Sequence, residues 1–567
     1  MHLGPTDLLV ERRADGAIGL RSPHPLGVYP ATLTERLEHW AARAPERTLF
    51  AQRDASGGWR TLSYAAALER AKRIGAALLE KELSAERPLV VLSGNDIEHG
   101  LLHLGAMYAG IPYAPISPAY SLVSTDFAKL RAIFARLTPG LVFAADRQAF
   151  ARAIDAVCGR IEVLHQPPEA AVSGAVDEAR ARTGPDTIVK FLFTSGSTGT
   201  PKAVINTQRM WCANQAMVDR VFPFFRDEPP VLVDWAPWHH TAAGNKNLGM
   251  VLYHGGTYYL DEGKPLPGAI EATVRNLREV APTWYFNVPK GYEALLPYLR
   301  ADAQLRHNFF SRLRVLWFAG AGISQHVFDG VKQLALETRG EAIPFFTGFG
   351  ATETAPHTLG RHWDTDNAAN MGIPPPGVEM KLVPLEGRYE ARLKGPHVTP
   401  GYWREPELTR QAFDEEGYYR LGDAFTFADA ADPAKGLLYE GRIAEDFKLA
   451  TGTWVHVGAL RAAFIEHFAP LVRDVVIAGD RRDEPGALIF PAGNVSTNEL
   501  LERLRSFAAR STGSSNRIRR ALVLDEPASL DSGEMTDKGS INQRAVLSRR
   551  AAVVEELYAG SPRVLTA

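Results

Sequence analysis

The chain is poor in cysteine, has no long apolar run and carries almost no net charge, and each absence narrows what it can be. Only Cys158 and Cys212 occur in 567 residues. They lie far apart and outside any C-x-x-C pair, which argues against a disulfide framework or zinc site and fits a reducing cytoplasm. The mildest apolar stretch, LLHLGAMYAGIPYAPIS, is broken by His103, Gly105, Gly110 and prolines, so no membrane span is expected. MHLGPTDLLVERRADG lacks an apolar core after a basic start, so no secretory leader is expected either. Asn494-Val495-Ser496 is then a chance glycosylation match. A formal charge of −2 offers no general attraction to nucleic acid or to an acidic membrane. No internal repeat or low-complexity tract is present.

What is there is ordinary in bulk and distinctive in order. At 62.1 kDa the chain is too long for one hydrophobic core, so at least two domains are expected. The first half alternates amphipathic helices, such as LTERLEHWAARAP and SYAAALERAKRIGAALLEKEL with Ser63 as N-cap, with short apolar runs such as RPLVVLSGND, IPYAPIS and LTPGLVFAAD. That rhythm predicts an α/β domain with parallel sheet. From about Leu382, LVPLEGRYEARLKGPHVTPGYW reads as a small β element. After about residue 446, helix (NELLERLRSFAARS) and strands (RDVVIAG, GALIFPAG, RALVLDE) mix again in a compact α+β domain.

Five segments carry chemistry. FTSGSTGTPKAV follows a strand and crowds hydroxyls, glycine and Lys202 together. Converging N–H and O–H donors suit phosphate oxygens, but the segment lacks Walker A spacing, because Thr200-Pro201 separate Gly199 from Lys202 and Ala203 follows. In FFTGFGATETAP, Thr352 can bond a phosphate and Glu353 can hold Mg²⁺. In YYRLGDAF, Asp423 can accept two ribose hydroxyls. In GRIAEDFKLATG, Arg442 is a fork donor. In LDSGEMTDKGSINQR, Lys538 occupies a polar loop before a helix. Taken singly, the last four are commonplace turn, cap or surface residues.

In this order they resemble the adenylate-forming superfamily of acyl- and aryl-CoA synthetases, luciferases and peptide-synthetase adenylation domains, from about residue 28 to about 550. TSGSTGTPK and GATET are its most specific motifs. DWAPWHHTAAGNKN, GGTYYLDEGKP, NVPKGYEALLPYL and GRIAEDFKLATGTWV are closest in appearance to bacterial feruloyl-CoA synthetases. The resemblance implies a large N-terminal domain over residues 1–444 and a mobile C-terminal domain over 445–567, hinged near Glu445. It implies use of ATP, Mg²⁺ and CoA to turn an aromatic, hydroxycinnamate-type acid into its CoA thioester through an acyl-adenylate. Under it, Thr194, Ser195, Gly196, Ser197, Thr198, Gly199 and Lys202 cradle the β- and γ-phosphates. Gly320, Ala321, Gly322, Phe349 and Gly350 flank the adenine, and Asp423 and Arg442 bind the ribose. Thr352 contacts the α-phosphate, Glu353 is the metal ligand, and Lys538 reaches the reacting carboxylate.

His240, Thr241, Ala242, Ala321, Pro356 and His357 would wall the acyl pocket, with His240 at its carboxylate end and His357 offered to a phenolic hydroxyl. The adjacent His239 and His240, if extended, would point to opposite sides, which argues against metal there. The chain departs from the superfamily around the late lysine, where DSGEMTDKGSINQR replaces Pro-x-x-x-x-Gly-Lys, and where VGALRAAF replaces a strand ending in glutamate. Lys448 and Lys394 are the alternative lysines. Rival readings are a ligase for another aryl or medium-chain acid and a stand-alone adenylation enzyme that loads a carrier protein.

Overall fold

A computed structural model describes residues 1–195 and 200–567. The phosphate-loop positions Gly196, Ser197, Thr198 and Gly199 lie outside the described residues. The large domain is built on three sheets. In the first, short strands Leu89–Val91, Tyr113–Pro115, Leu141–Phe143 and Val163–Leu164 run parallel, as their continuous apolar runs predict. Ile188–Ser195 extends that sheet, and Pro201–Thr207 folds back antiparallel on it, with Lys202 paired to Thr194 across the hairpin. The second sheet, Val231–Asp234, Thr257–Leu260, Thr48–Arg53 and Trp59–Ser63, and the third, Trp284–Asn287, Val315–Phe318, Phe345–Phe349 and Leu359–Arg361, share a core of Trp211, Trp238, Trp284 and Trp317 with the surrounding helices. Ser63 does cap the helix Tyr64–Leu79, its hydroxyl accepting from Ala66 N.

The β element seen in the sequence is larger than expected. Glu379–Leu385, Arg388–Lys394, Tyr419–Phe427 and Leu437–Arg442 form an antiparallel sheet, and its far edge is the N-terminal hairpin Leu9–Arg12/Ile18–Arg21. That recruitment across more than 350 residues leaves no local signal. The small domain has its own core, centred on Phe464, Phe468, Val475 and Ile489, with the sheet Val472–Ala478, Gly486–Pro491, Arg520–Val523, Val564–Thr566 and the helices Val457–Phe468 and Thr497–Arg510 packed on it. VGALRAAF opens the helix Val457–Phe468.

Among the described residues, two groups of contacts join the domains. At the joint, backbone meets backbone: a Cβ built on Gly441 would sit 2.9 Å from Gly458 Cα, and one on Gly458 would sit 2.7 Å from Gly441 Cα. Gly441 also has φ +100°, a conformation that disfavours side chains. Beside it Asp446 is the pin. Its carboxylate pairs with Arg388 of the large domain and accepts from Val457 N at the start of the helix Val457–Phe468 (2.9 Å). The second contact is the loop carrying Lys538. Leu530 inserts into the large domain beside Tyr120, Phe127 and Leu130. Asp531 accepts from Thr125 N and Oγ1 at 2.9 and 2.8 Å, and Lys129 donates to Leu530 O at 2.6 Å.

Gly458→Val should wedge the joint open. Limited proteolysis between residues 442 and 457 is expected to speed up several-fold, with both cores still melting cooperatively. Unchanged cleavage would show that the glycine contact does not seat the small domain.

Candidate active site

The site forms where the two domains face each other. Lys538 sits at the tip of a tight turn: Thr536 N donates to Ser540 O (2.9 Å), Gly539 N donates to Thr536 O (3.0 Å), and Gly539 takes φ +82°. Such a turn needs the glycine that follows the lysine, so Asp537-Lys538-Gly539 is a local solution to presenting one ammonium. Glu534 steadies the turn's base through a bidentate pair with Arg550 (2.7 and 2.8 Å). Lys538 keeps solvent access but is surrounded by protein at longer range. That burial lowers its pKa, Asp537 and Glu353 oppose the shift, and Arg442 reinforces it.

Opposite lie the acid groups. Asp423 and Arg442 are directly paired across the strands Tyr419–Phe427 and Leu437–Arg442. Arg442 Nε is 3.2 Å from Asp423 Oδ1, which also accepts from Tyr439 Oη at 2.9 Å. Asp423 Oδ2 is buried and takes no hydrogen bond. A carboxylate with one oxygen satisfied and the other bare in a cleft is built to accept hydroxyls. Burial raises its pKa to about 6 despite Arg442 and Tyr439. Phe349 stacks on Tyr439 at 5.4 Å, so this strand pair presents an aromatic surface beside the acceptor.

Glu353 lies in the short turn Thr352–Thr354, pinned by Thr399 N to Glu353 O (2.8 Å) and by Asn214 Nδ2 to Thr354 O (3.3 Å) and His357 O (3.1 Å). Its Oε1 accepts from Tyr402 Oη at 3.0 Å, and Tyr402 bonds Tyr419 at 3.1 Å. The other oxygen takes no hydrogen bond among the described residues, which suits a hard cation. Lys202 lies 5.4 Å over the Tyr402 ring, so the phosphate-loop lysine and Glu353 meet on one tyrosine. Thr194, Lys202 and Glu353 are thus linked through the hairpin and Tyr402, and the charges of Glu353, Asp423, Arg442 and Lys538 act on one another. Gly350 could be no other residue, since a Cβ there would strike Pro356 O at 1.5 Å. Gly320, Ala321 and Gly322 form an exposed turn after the strand Val315–Phe318, with Gly320 at φ +91°. Lys394 instead donates to Glu416 O, and Lys448 lies over Trp454.

The two histidines correct the sequence reading. They sit in a turn, where alternation does not apply, with ring centroids 4.2 Å apart. Both face one carboxylate: Asp537 Oδ2 is 3.5 Å from His239 Nε2 and 3.8 Å from His240 Nε2. These donors lie within 4.8 Å of one another and could hold a metal ion. Burial works to raise the Asp537 pKa, but His239, His240 and Lys538 outweigh it and hold the group well below the usual carboxylate range. Burial, with His239 and Lys538, keeps His240 far below its ordinary value. Asp537 thus fastens the lysine turn to the predicted pocket gate. Nothing in the sequence alone pointed to Asp537, Tyr439, Tyr402 or Asn214, since each acts on a partner far along the chain.

The AMP-binding enzyme family model matches residues 37–403, and the model of the AMP-binding enzyme C-terminal domain matches 447–562. A carboxylic acid reductase of Segniliparus rugosus is 25% identical over 452 residues, 72% of this chain and 35% of that protein. The chain therefore spans about a third of that relative's length. An anthranilate–CoA ligase of Pseudomonas aeruginosa is 28% identical over 326 residues, 54% of this chain and 57% of that protein. The adenylation domain of the S. rugosus reductase, solved with AMP and a co-purified carboxylic acid, superposes with TM-score 0.70 at 19% identity, over 93% of this chain and 94% of that one. The O-succinylbenzoate coenzyme A synthetase of Bacillus subtilis with AMP gives TM-score 0.70 at 16% identity, over 91% and 98%.

Asp423 has a pH signature. Its folded pKa lies above that of an unfolded aspartate, so the folded state holds the extra proton and stability falls as pH rises from about 4 through about 6. Asp423→Asn should remove that slope and stabilise the unliganded protein at pH 8 by up to about 3 kcal/mol, read by denaturant melts at pH 4.5 and 8, while weakening nucleotide binding. A variant with the wild-type slope would show that Asp423 is not the group responsible.

Proposed function

The chain belongs to the AMP-binding enzyme family, and from that premise we propose that it is an ATP-dependent acid–CoA ligase for aromatic, hydroxycinnamate-type acids. The observation that carries this is the Lys538 turn, seated on the large domain with its ammonium in the cleft that holds Glu353, Asp423 and Arg442. A carboxylate is a poor acylating agent and is repelled by a triphosphate, so the site must neutralise charge and align the attacking oxygen.

In the first step a carboxylate oxygen attacks the α-phosphorus and the bond to pyrophosphate breaks. Lys202 and the loop before it hold the departing phosphates. Thr352 and Lys538 face the α-phosphate, where Lys538 offsets charge as it develops. Asp423 accepts the ribose hydroxyls through its bare Oδ2, with Arg442 beside it. Glu353 would hold Mg²⁺, which supplies neutralising charge to the polyphosphate. In the second step the CoA thiol attacks the acyl carbon and AMP leaves. Domain rotation near Glu445 would withdraw Lys538 and open the thiol's approach, breaking the Asp531–Thr125 and Asp537–histidine contacts.

Pyrophosphate release over a panel of acids, with and without CoA, tests the reading. Hydroxycinnamates are expected to give AMP, pyrophosphate and a CoA thioester; pyrophosphate without any CoA ester would move the protein to carrier loading. Lys538→Ala should lower adenylation by roughly 100- to 1,000-fold yet leave thioester formation from a supplied acyl-adenylate nearly intact. Equal loss of both steps would count against domain rotation.

A further inference from the structure

Lys246 is a buried lysine without an anion. It lies in the wide π-type turn Ala242–Asn247 that follows His240, and it is 3% exposed. Its Nζ takes no hydrogen bond and no carboxylate among the described residues, and burial alone drives its pKa far down. The ammonium rests on the Trp317 ring, 3.3 Å from the centroid, with Trp284 at 5.4 Å. His357 lies 5.9 Å from the same Trp317 ring. It is 3% exposed, and its Nε2 is buried with no partner. Lys246 is close enough to His357 to lower its basicity further, after burial.

The fold shows elsewhere how it treats such a group. Lys381, equally buried, is held by Asp414 at 2.6 Å and Glu416 at 2.7 Å. Lys190, the other deeply buried lysine nearby, donates to Gly244 O at 2.9 Å. A lysine that meets only an indole face leaves the donors on its nitrogen without acceptors. Two unpartnered polar groups converging on one tryptophan point to a ligand that completes them.

We propose that Lys246 and His357 form the far wall of the acyl pocket and select an acid bearing an oxygen acceptor at the end remote from its carboxylate. This rests on the ligase reading above. The acceptor chemistry is shared by a phenolic oxygen and by a second carboxylate.

The experiment compares 4-hydroxycinnamate, 4-carboxycinnamate, 4-methylcinnamate and cinnamate by kcat/KM for pyrophosphate release. The wild-type protein should prefer an oxygen-bearing acid over the isosteric 4-methyl acid by roughly 100-fold or more, because the methyl leaves the buried groups unpaired. Whichever of the hydroxy and carboxy acids leads identifies the source. Lys246→Met, near in volume and without charge, should compress that ratio at least tenfold while the protein melts no lower than wild type. His357→Leu should compress it as well. A lysine with a purely structural role would shift the melting temperature and leave the ratio alone. If wild type activates 4-methylcinnamate and cinnamate as well as the oxygenated acids, the inference is overturned while the ligase reading stands. If no acid of any class releases pyrophosphate, both fall.

Discussion

Everything at this site depends on holding opposite charges across a seam between two separately packed domains. Glu353, Asp423 and Arg442 belong to the large domain, and Lys538 to the small one. Neither core reaches the other's reactive group, so the electrostatics last only as long as the docking does. The docking is assembled from dissimilar parts: one inserted leucine, an aspartate on a threonine, an aspartate between two imidazoles, and a glycine crossing. Each is a modest interaction. A seam of packed apolar side chains would bind more tightly and release more slowly.

The chemistry the cleft can support follows from unequal environments. Asp423 has one satisfied oxygen and one bare one, and its burial makes the bare oxygen a strong acceptor for a hydroxyl. Glu353 has a tyrosine on one oxygen and space at the other. Arg442 and Lys538 remain open to solvent, so an incoming polyanion meets cations that it need not first dehydrate fully. Elsewhere in the large domain, Lys246 and His357 are buried beside Trp317, and His357 Nε2 has no hydrogen-bond partner among the described residues.

The sequence disclosed what is local. A hydroxyl–glycine run between strands, the turn holding Thr352 and Glu353, the Gly-Asp at Asp423 and the glycine-bounded Lys538 are each written within a dozen residues, and the α/β rhythm followed from apolar runs of strand length. What stayed hidden was made by distance. Tyr439 reaches Asp423 from the next strand, Tyr402 reaches Glu353 across 49 residues, and Asp537 meets the histidines across nearly 300. The histidine pair was misread because alternation was applied to a segment that turns. Lys246 carried no signal in the sequence, since burial is invisible until the tryptophans close around it.

The crossing of Gly441 and Gly458 has one more consequence. Where two chains touch through bare backbone, no side chain is seated in a socket, so nothing there must be unlocked before one chain slides or turns over the other. Such a bearing resists compression but opposes rotation hardly at all. The joint can then fix how far apart the two halves stay while leaving their angle to the loops and charges at the rim. Distance is set at the axle and orientation at the latch.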